Sequence, residues 1–393
     1  MLELFDRGVK VSLYNKSEAV LLQTIDMCKK SKQELKVCFL LTHVPNPRMN
    51  KRINVYKKYG EVSVICTRRK SQNIWNPQVE DVEYNIFDID LPSSSHLFKR
   101  AFVSHKYQKK AMKNLHRIKP DILYCGGLDS LIIATQYKKE NKNIDIIYEV
   151  ADLRETYIEK PKNVVQEVLV NVVKHKERKV FHNVKWLVVT SPEFYNRYYY
   201  RLIDKEKMVF IPNAPDKEVF SNYKHKSSGK FTIGFIGGIR YLNQMKMLVD
   251  VAGELKCEVL FAGAGGTSKE YTEIVDYCKC RKNVTFTGRY DYEKQIADIY
   301  GKVDCVFAVY DASNPNVRIA LPNKLYEAIL CELPIIVANG TYLSELVKEW
   351  GVGCAVSCTD PHELKKEISK LMYDQNYYNK IVVACKEINK SLD

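Results

Sequence analysis

The chain has 393 residues, enough for two domains of ordinary size, and its 46% hydrophobic and 27% charged content is that of a globular protein. A formal net charge of +14, from 61 Lys and Arg against 47 Asp and Glu, favours an anionic partner. No apolar run reaches the roughly 18 residues that a membrane-spanning helix needs, and MLELFDRGVK lacks the charged-then-apolar order of a signal peptide, so a cytoplasmic protein is expected.

Residues 1–35 precede the first convincing strand. Leu21, Ile25 and Cys28 recur there at helical spacing, which predicts a helical extension, either packed on the first domain or docking on a membrane or another subunit. From Lys36 onward, short apolar runs alternate with longer mixed segments. The strand candidates KVCFLLTH, VSVICT, DILYCG, IDIIYEVAD, WLVVTS and MVFIPN are followed by FTIGFIGG, CEVLFAG, NVTFTG, VDCVFAVYD and LPIIVANG. Strands alternating with amphipathic stretches predict parallel sheets with helices on both faces. The fold class is therefore α/β, with two doubly wound, Rossmann-like domains, 36–223 and 224–375. The seam is IPNAPDKEVFSNYKHKSSGKFT, polar and proline-bearing, with the boundary expected near Tyr223 to Lys230. Ligands of open parallel sheets bind beyond the carboxyl ends of the strands, so two such domains facing each other make a cleft the expected site.

Twelve cysteines sit mostly in apolar segments, as small buried hydrophobes of a reducing compartment do. Cys278 and Cys280 have a single intervening residue and no matching second pair, which is not a metal-ligand pattern.

In LPNKLYEAILCELPIIV, Pro322 reads as the first helical residue and Leu325, Ala328 and Ile329 as an apolar face. Lys324 then falls in the first turn, beside the positive end of the helix dipole, where a cation is mildly disfavoured. A diphosphate at that helix start would meet backbone N–H groups and the ammonium together. Glu327, three residues on, shares the face and could accept hydrogen bonds from ribose hydroxyls. The alternative is an ordinary i,i+3 salt bridge between the two. In FTIGFIGGIRY, a strand runs into Gly237 and Gly238 with Arg240 close behind, either a tight turn or a phosphate contact. Gly263, Gly265 and Gly266 in VLFAGAGGTSKE read as a structural turn. Gly288, Arg289 and Tyr290 end a further strand, as a plain loop or a backbone edge that holds a nucleobase. FKRAFVSHKYQKKAMKNLHRIKP, residues 98–119, is basic and amphipathic, either a solvated helix face or a surface for an acidic membrane. No recognised nucleic-acid motif accompanies the charge.

These motifs together resemble the GT-B glycosyltransferases, specifically the retaining family 4 type. The opening of the Lys324 helix is similar to the family's P-x-K-x-x-E donor helix, MVFIPNAPDKEVF to its interdomain stretch, and FTIGFIGGIRY and NVTFTG to its two glycine-ended donor strands. DILYCGGLDSLIIA with IDIIYEVADLRETY, and NPRMNKRINVYKKYGEVSVI, resemble acceptor-domain segments. The resemblance implies a nucleotide-diphospho-sugar donor in the C-terminal half, as co-substrate, with no cofactor and no metal. Lys324 and Arg240 would hold the diphosphate, with Lys246 as a second-rank phosphate contact. Glu327 would hold the ribose, the backbone near Arg289 and Tyr290 the base, and Arg318, Leu321 and Asn323 phosphate and sugar. The acceptor would be a glycan or a lipid diphosphate in surface polysaccharide or glycolipid synthesis, on the inner face of the membrane. Asp129 and Asp152 keep their motif positions as candidates to position an acceptor hydroxyl or take its proton, or to cap a helix. Relatives carry histidines where this chain has Cys125-Gly126-Gly127 and Ala151, and a glutamate where it has Ile319, for which Asn314, Asn316 or Arg318 would substitute. Asp88 to Asp90, DID, mimics a metal motif but lies outside the donor half and reads as a strand end. The family's last helix, 376–393 here, would return to the first domain. A sugar-nucleotide epimerase of the same shape and a non-catalytic binding subunit are the competing readings.

Overall fold

Runs of β-branched and aromatic residues bounded by polar turns build two parallel sheets. The computed structural model describes residues 35–69, 76–89, 97–153, 163–226, 229–263 and 269–392. The expected extension before Leu35, Gly265, Gly266 and Asp90 lie outside the described residues.

The chain divides into an N-terminal unit ending at Pro212 and a C-terminal unit beginning at Asn213. In the first, β1 (Lys36–Leu41), β2 (Glu61–Arg69), β3 (Glu83–Ile89), β4 (Ile122–Gly126), β5 (Asp145–Val150), β6 (Trp186–Val189) and β7 (Met208–Phe210) pair in the order β3-β2-β1-β4-β5-β6-β7, all parallel. The intervening helices are α1 (Pro47–Lys57), α2 (Leu97–Ile118), α3 (Leu128–Glu140) and α4 (Val164–Phe181). In the second unit, β8 (Thr232–Ile236), β9 (Glu258–Ala262), β10 (Val284–Gly288), β11 (Cys305–Ala308), β12 (Ile335–Ala338) and β13 (Gly353–Val356) pair in the order β10-β9-β8-β11-β12-β13, again parallel. Its helices are α5 (Leu242–Leu255), α6 (Lys269–Tyr277), α7 (Tyr292–Tyr300), α8 (Pro315–Ile319), α9 (Asn323–Leu330), α10 (Tyr342–Trp350), α11 (Pro361–Tyr373) and α12 (Gln375–Leu392).

Central strands are covered on both faces. Every residue of β4, β8, β11 and β12 is buried, as parallel sheets between helix layers require. The two strands that sequence reading missed, β3 and β13, are sheet edges. They are only half-covered, so they carry no continuous apolar run to betray them. Asp88 on β3 is exposed and paired with Arg68 at 2.6 Å, the strand-end role expected of it.

The unit boundary falls at the start of the expected seam, about ten residues before the cut expected near Tyr223. The polar stretch after Pro212 is held to the second unit by its few apolar and aromatic groups. Phe220 is buried edge-on to Tyr300, the Tyr223 hydroxyl donates to the Cys331 carbonyl (2.9 Å), and the Lys226 amide donates to Gly301 (2.7 Å). Polar composition suggested a linker, whereas three anchors make the segment part of the fold. The last helix, α12, also belongs to the second unit, which corrects its expected return to the first domain. It docks on α9, α10 and α11, with Ile381 and Cys385 buried and the Tyr378 hydroxyl donating to the Asp304 carbonyl at 2.9 Å.

Candidate functional site

At the carboxyl end of β8 the chain leaves the sheet through Gly237, whose φ of +131° is a conformation that side-chain-bearing residues avoid. Its amide donates to the Ala262 carbonyl (2.7 Å), and the Gly263 amide donates to Gly288 (3.0 Å), so the ends of β8, β9 and β10 are tied in a row. Gly263 is required twice over: φ is +128°, and a Cβ there would overlap the Gly237 carbonyl oxygen. A Cβ on Gly237 would lie 2.7 Å from Lys324 Nζ. The ammonium therefore rests against the bare backbone at the end of β8.

Lys324 reaches that point from the first turn of α9. Pro322 has extended backbone (ψ 153°) and is the N-cap, which corrects its expected place as first helical residue; Asn323 takes that position. The Lys324 ammonium lies 5.4 Å from the Phe235 ring centre and 5.6 Å from that of Tyr310, and Tyr310 is backed by Tyr241 in a 4.7 Å stack. Among the described residues no carboxylate pairs with it. Aromatic faces attract a cation without cancelling its charge, at about 0.5–2 kcal/mol per contact.

The ordinary i,i+3 salt bridge does not form, because Glu327 is engaged elsewhere. Its residue is 4% exposed, and its two carboxylate oxygens accept from the hydroxyls of Tyr292 (2.7 Å) and Tyr300 (2.6 Å). Burial, followed by the Glu327 charge, raises both tyrosines and also Tyr290, so all three stay protonated donors at neutral pH. A carboxylate has about four acceptor positions, so the pair of tyrosines leaves capacity unused. Replacing Tyr300 by phenylalanine removes one donor from this buried charge and is expected to cost about 1.5–3 kcal/mol, read as a lower urea midpoint.

The other expected donor contacts are distributed unevenly. Gly238 and Arg240 are exposed, the Arg240 side chain running beside Gly238. Arg289 is exposed and Tyr290 half-buried after the β10 terminus. Arg318 Nε donates to the Ala312 carbonyl (2.8 Å), which folds the side chain onto its own loop. Leu321 is buried, and Asn323 Oδ1 accepts from the Asn213 side chain. Lys246 is a correction. It pairs with Glu273 at 2.9 Å and lies over the Tyr277 ring, so its charge is spent between α5 and α6.

Asp129 and Asp152 belong to the N-terminal unit, and both are exposed rather than buried. Gly127 is the N-cap of α3, so Asp129 does not cap; it sits in the first turn, where its charge complements the dipole. Asp152 lies in the bend after β5. The buried acids of this unit, among the described residues, are instead Glu149 on β5 and Glu177 on α4, and Glu149 holds cations. Arg48 Nε lies 2.8 Å from Oε1 and Arg52 Nε 3.4 Å from Oε2, and the Tyr124 hydroxyl donates to Oε2. Burial opposes the Glu149 charge, but Arg52, Arg48 and Tyr124 outweigh it and hold the carboxyl below its usual range.

Residues 216–387 match the family model described as glycosyl transferases group 1. Those residues, a little under half of the chain, are similar to that family. The architecture of the chain is that of the GT-B glycosyltransferases. Sucrose-phosphate synthase from Thermosynechococcus elongatus aligns over 91% of this chain and 95% of its own, with a TM-score of 0.68 at 13% identity. HepE from Anabaena, solved in complex with UDP-glucose, aligns over 92% and 96% with a TM-score of 0.66 at 14% identity. In sequence, the chain is 21% identical over 269 residues to the succinoglycan biosynthesis protein ExoL of Rhizobium meliloti (strain 1021). That match spans 65% of each protein, just under two thirds of the relative's length.

Within the matched residues, the glycine-ended strands and the Lys324 helix were readable from sequence, whereas the aromatic seat and the tyrosines on Glu327 were not. The chain has 26 tyrosines, and nothing in the local pattern sets Tyr292, Tyr300 or Tyr310 apart.

Proposed function

We propose that this protein transfers a glycosyl group from a nucleotide-diphospho-sugar, with retention, to a glycan or lipid-diphosphate acceptor in surface polysaccharide or glycolipid synthesis. The observation that carries this reading is the Lys324 ammonium. It is held without a counter-carboxylate among the described residues, at a helix start, against the backbone end of β8.

In this reading the donor diphosphate accepts from the first amides of α9, from Lys324 and from Arg240. As the bond between the sugar C1 and the diphosphate oxygen breaks, its electron pair stays on the diphosphate. Fixed cations stabilise that growing charge, so the chemistry calls for no metal. The unused acceptor capacity of Glu327 takes ribose hydroxyls, the backbone at Arg289 and Tyr290 borders the base, and Arg318, Asn314 and Asn316 border the sugar. The acceptor oxygen bonds to C1 on the face the diphosphate leaves, and its proton passes to the departing phosphate oxygen. Asp129 and Asp152 are candidates to orient the acceptor hydroxyl. The HepE complex with UDP-glucose and the naming of ExoL for succinoglycan biosynthesis support donor and pathway class respectively.

A panel of nucleoside diphosphates and nucleotide sugars tests the reading. One base is expected to raise the melting temperature, because a ligand that binds only the native state must do so, and its sugar conjugate is expected to be turned over slowly to the free sugar. Binding with no turnover under any acceptor would favour a non-catalytic subunit, and release of a sugar epimer would favour an epimerase. No stabilisation by any diphosphate would remove the reading altogether.

A further inference from the structure

Among the described residues, the fully buried side chains of helix α4, Glu177, Val180 and Phe181, lie at its C-terminal end. Phe181 stacks on Tyr199 (5.3 Å) and meets Tyr148 edge-on (5.7 Å), and the Tyr199 hydroxyl donates to the buried Glu177 (3.3 Å). The first half is exposed, yet it is aliphatic: Val164, Val165, Val168, Leu169 and Val172 are between 44% and 74% exposed. Their spacing places all five on one helix face, with Gln166 and Glu167 on the other. Further along that same face follow His175, Lys176 and Lys179, also exposed. A helix face so placed normally turns inward, and a contiguous exposed apolar patch marks a contact surface.

We infer that this face of α4 docks on an anionic membrane surface. Aliphatic side chains would enter the headgroup boundary while the cations one to two turns on meet lipid phosphates, as in interfacial helices. Each cation near an anionic bilayer strengthens binding about fivefold. Two observations select a bilayer as occupant. Five aliphatic side chains offer a few hundred Å², well short of the roughly 800 Å² per partner of a stable dimer, and the cations on the same face repel a second copy. The expected basic segment, α2, is a poorer element for this task. Its Tyr107, Ala111 and Leu115 are buried inward, Arg117 is paired with Glu83, and Lys110 lies over Phe87. Side chains of residues 97–102 lie outside the described residues. Helix α3 packs against both α2 and α4, so the cations of α2 lie on the same side of the sheet and can add long-range attraction. Among the described residues no helix is long and apolar enough to cross a membrane, so the contact is with the surface.

Sedimentation of the full chain with phosphatidylcholine vesicles, with and without phosphatidylglycerol, tests this independently of any nucleotide. Binding is expected only with phosphatidylglycerol, weakened by salt, and weakened about tenfold or more by the paired change Val168→Ser with Leu169→Ser and by Lys176→Glu with Lys179→Glu. All four positions are exposed, so the melting temperature is expected to stay unchanged, which separates lost docking from lost folding. The inference is overturned by failure to bind anionic vesicles. Undiminished binding of the Val168/Leu169 variant also overturns it, as does loss of binding confined to Lys109→Glu with Lys113→Glu on α2. A wild-type dimer that the Val168/Leu169 variant abolishes would replace the membrane by self-association.

Discussion

Lys324→Ala is expected to lower turnover of the nucleotide-sugar donor about 10²–10³-fold, the usual cost of removing one preorganised donor from a developing anion, with little change in melting temperature. Both halves follow from the same geometry. The ammonium forms no ion pair or hydrogen bond among the described residues, so its loss leaves no buried group unpaired. What disappears is a cation held by Phe235, Tyr310 and Gly237 at the place where a diphosphate would gain charge. Lys324→Arg separates charge from fit. The guanidinium is larger and planar, and does not reproduce a compact point charge resting against Gly237, so rescue is expected to be poor. Steady-state kinetics with the donor found by the thermal panel would measure both. An alanine variant that turns over normally would break the assignment of this site.

Glu149→Ala is expected to be the most damaging change to stability, at about 3–5 kcal/mol, because it strands two arginines in the interior of the N-terminal unit. Arg52 is buried, Arg48 has a side chain only 17% exposed, and the Tyr124 hydroxyl loses its acceptor. The pH dependence has a definite sign. The folded carboxyl is depressed below its unfolded value, so its contribution is complete above the ordinary carboxylate range near 4.3 and is lost as pH falls through the folded value. Urea unfolding from neutral to acid pH should therefore show wild type losing stability on the acid side, with Glu149→Gln lower at neutral pH and flatter below it.

Sequence carried the fold further than the site. Buried parallel strands announce themselves as apolar runs, and turn glycines such as Gly237 and Gly263 mark where they end. Lys324 was legible because a helix-start proline and a preceding strand fix where the first turn lies. Its aromatic seat was not, since Phe235 stands on β8, far from Lys324 along the chain, and Tyr310 follows β11, and sheet order is what brings both rings to the ammonium. Lys246 misled for the same reason in reverse. It follows a glycine-ended strand, and only the packing of α5 on α6 brings Glu273 to neutralise it. Glu149 lay in view as the acid in the middle of IDIIYEVAD. The arginines that make it tolerable come from α1, at i,i+4 spacing nearly a hundred residues earlier. The exposed valines of α4 were invisible for a different reason, because an apolar stripe on a helix looks the same whether it faces core or solvent.

The position of the unit boundary has a practical corollary for dissecting the molecule. A C-terminal fragment begun at residue 224, where composition suggests a cut, would discard Phe220 and Tyr223 and uncover the Tyr300 ring and the Cys331 carbonyl beneath them. Tyr300 is also a support of Glu327, so such a truncation would loosen from below the carboxylate proposed to hold ribose. Begun at residue 213, the fragment keeps that brace.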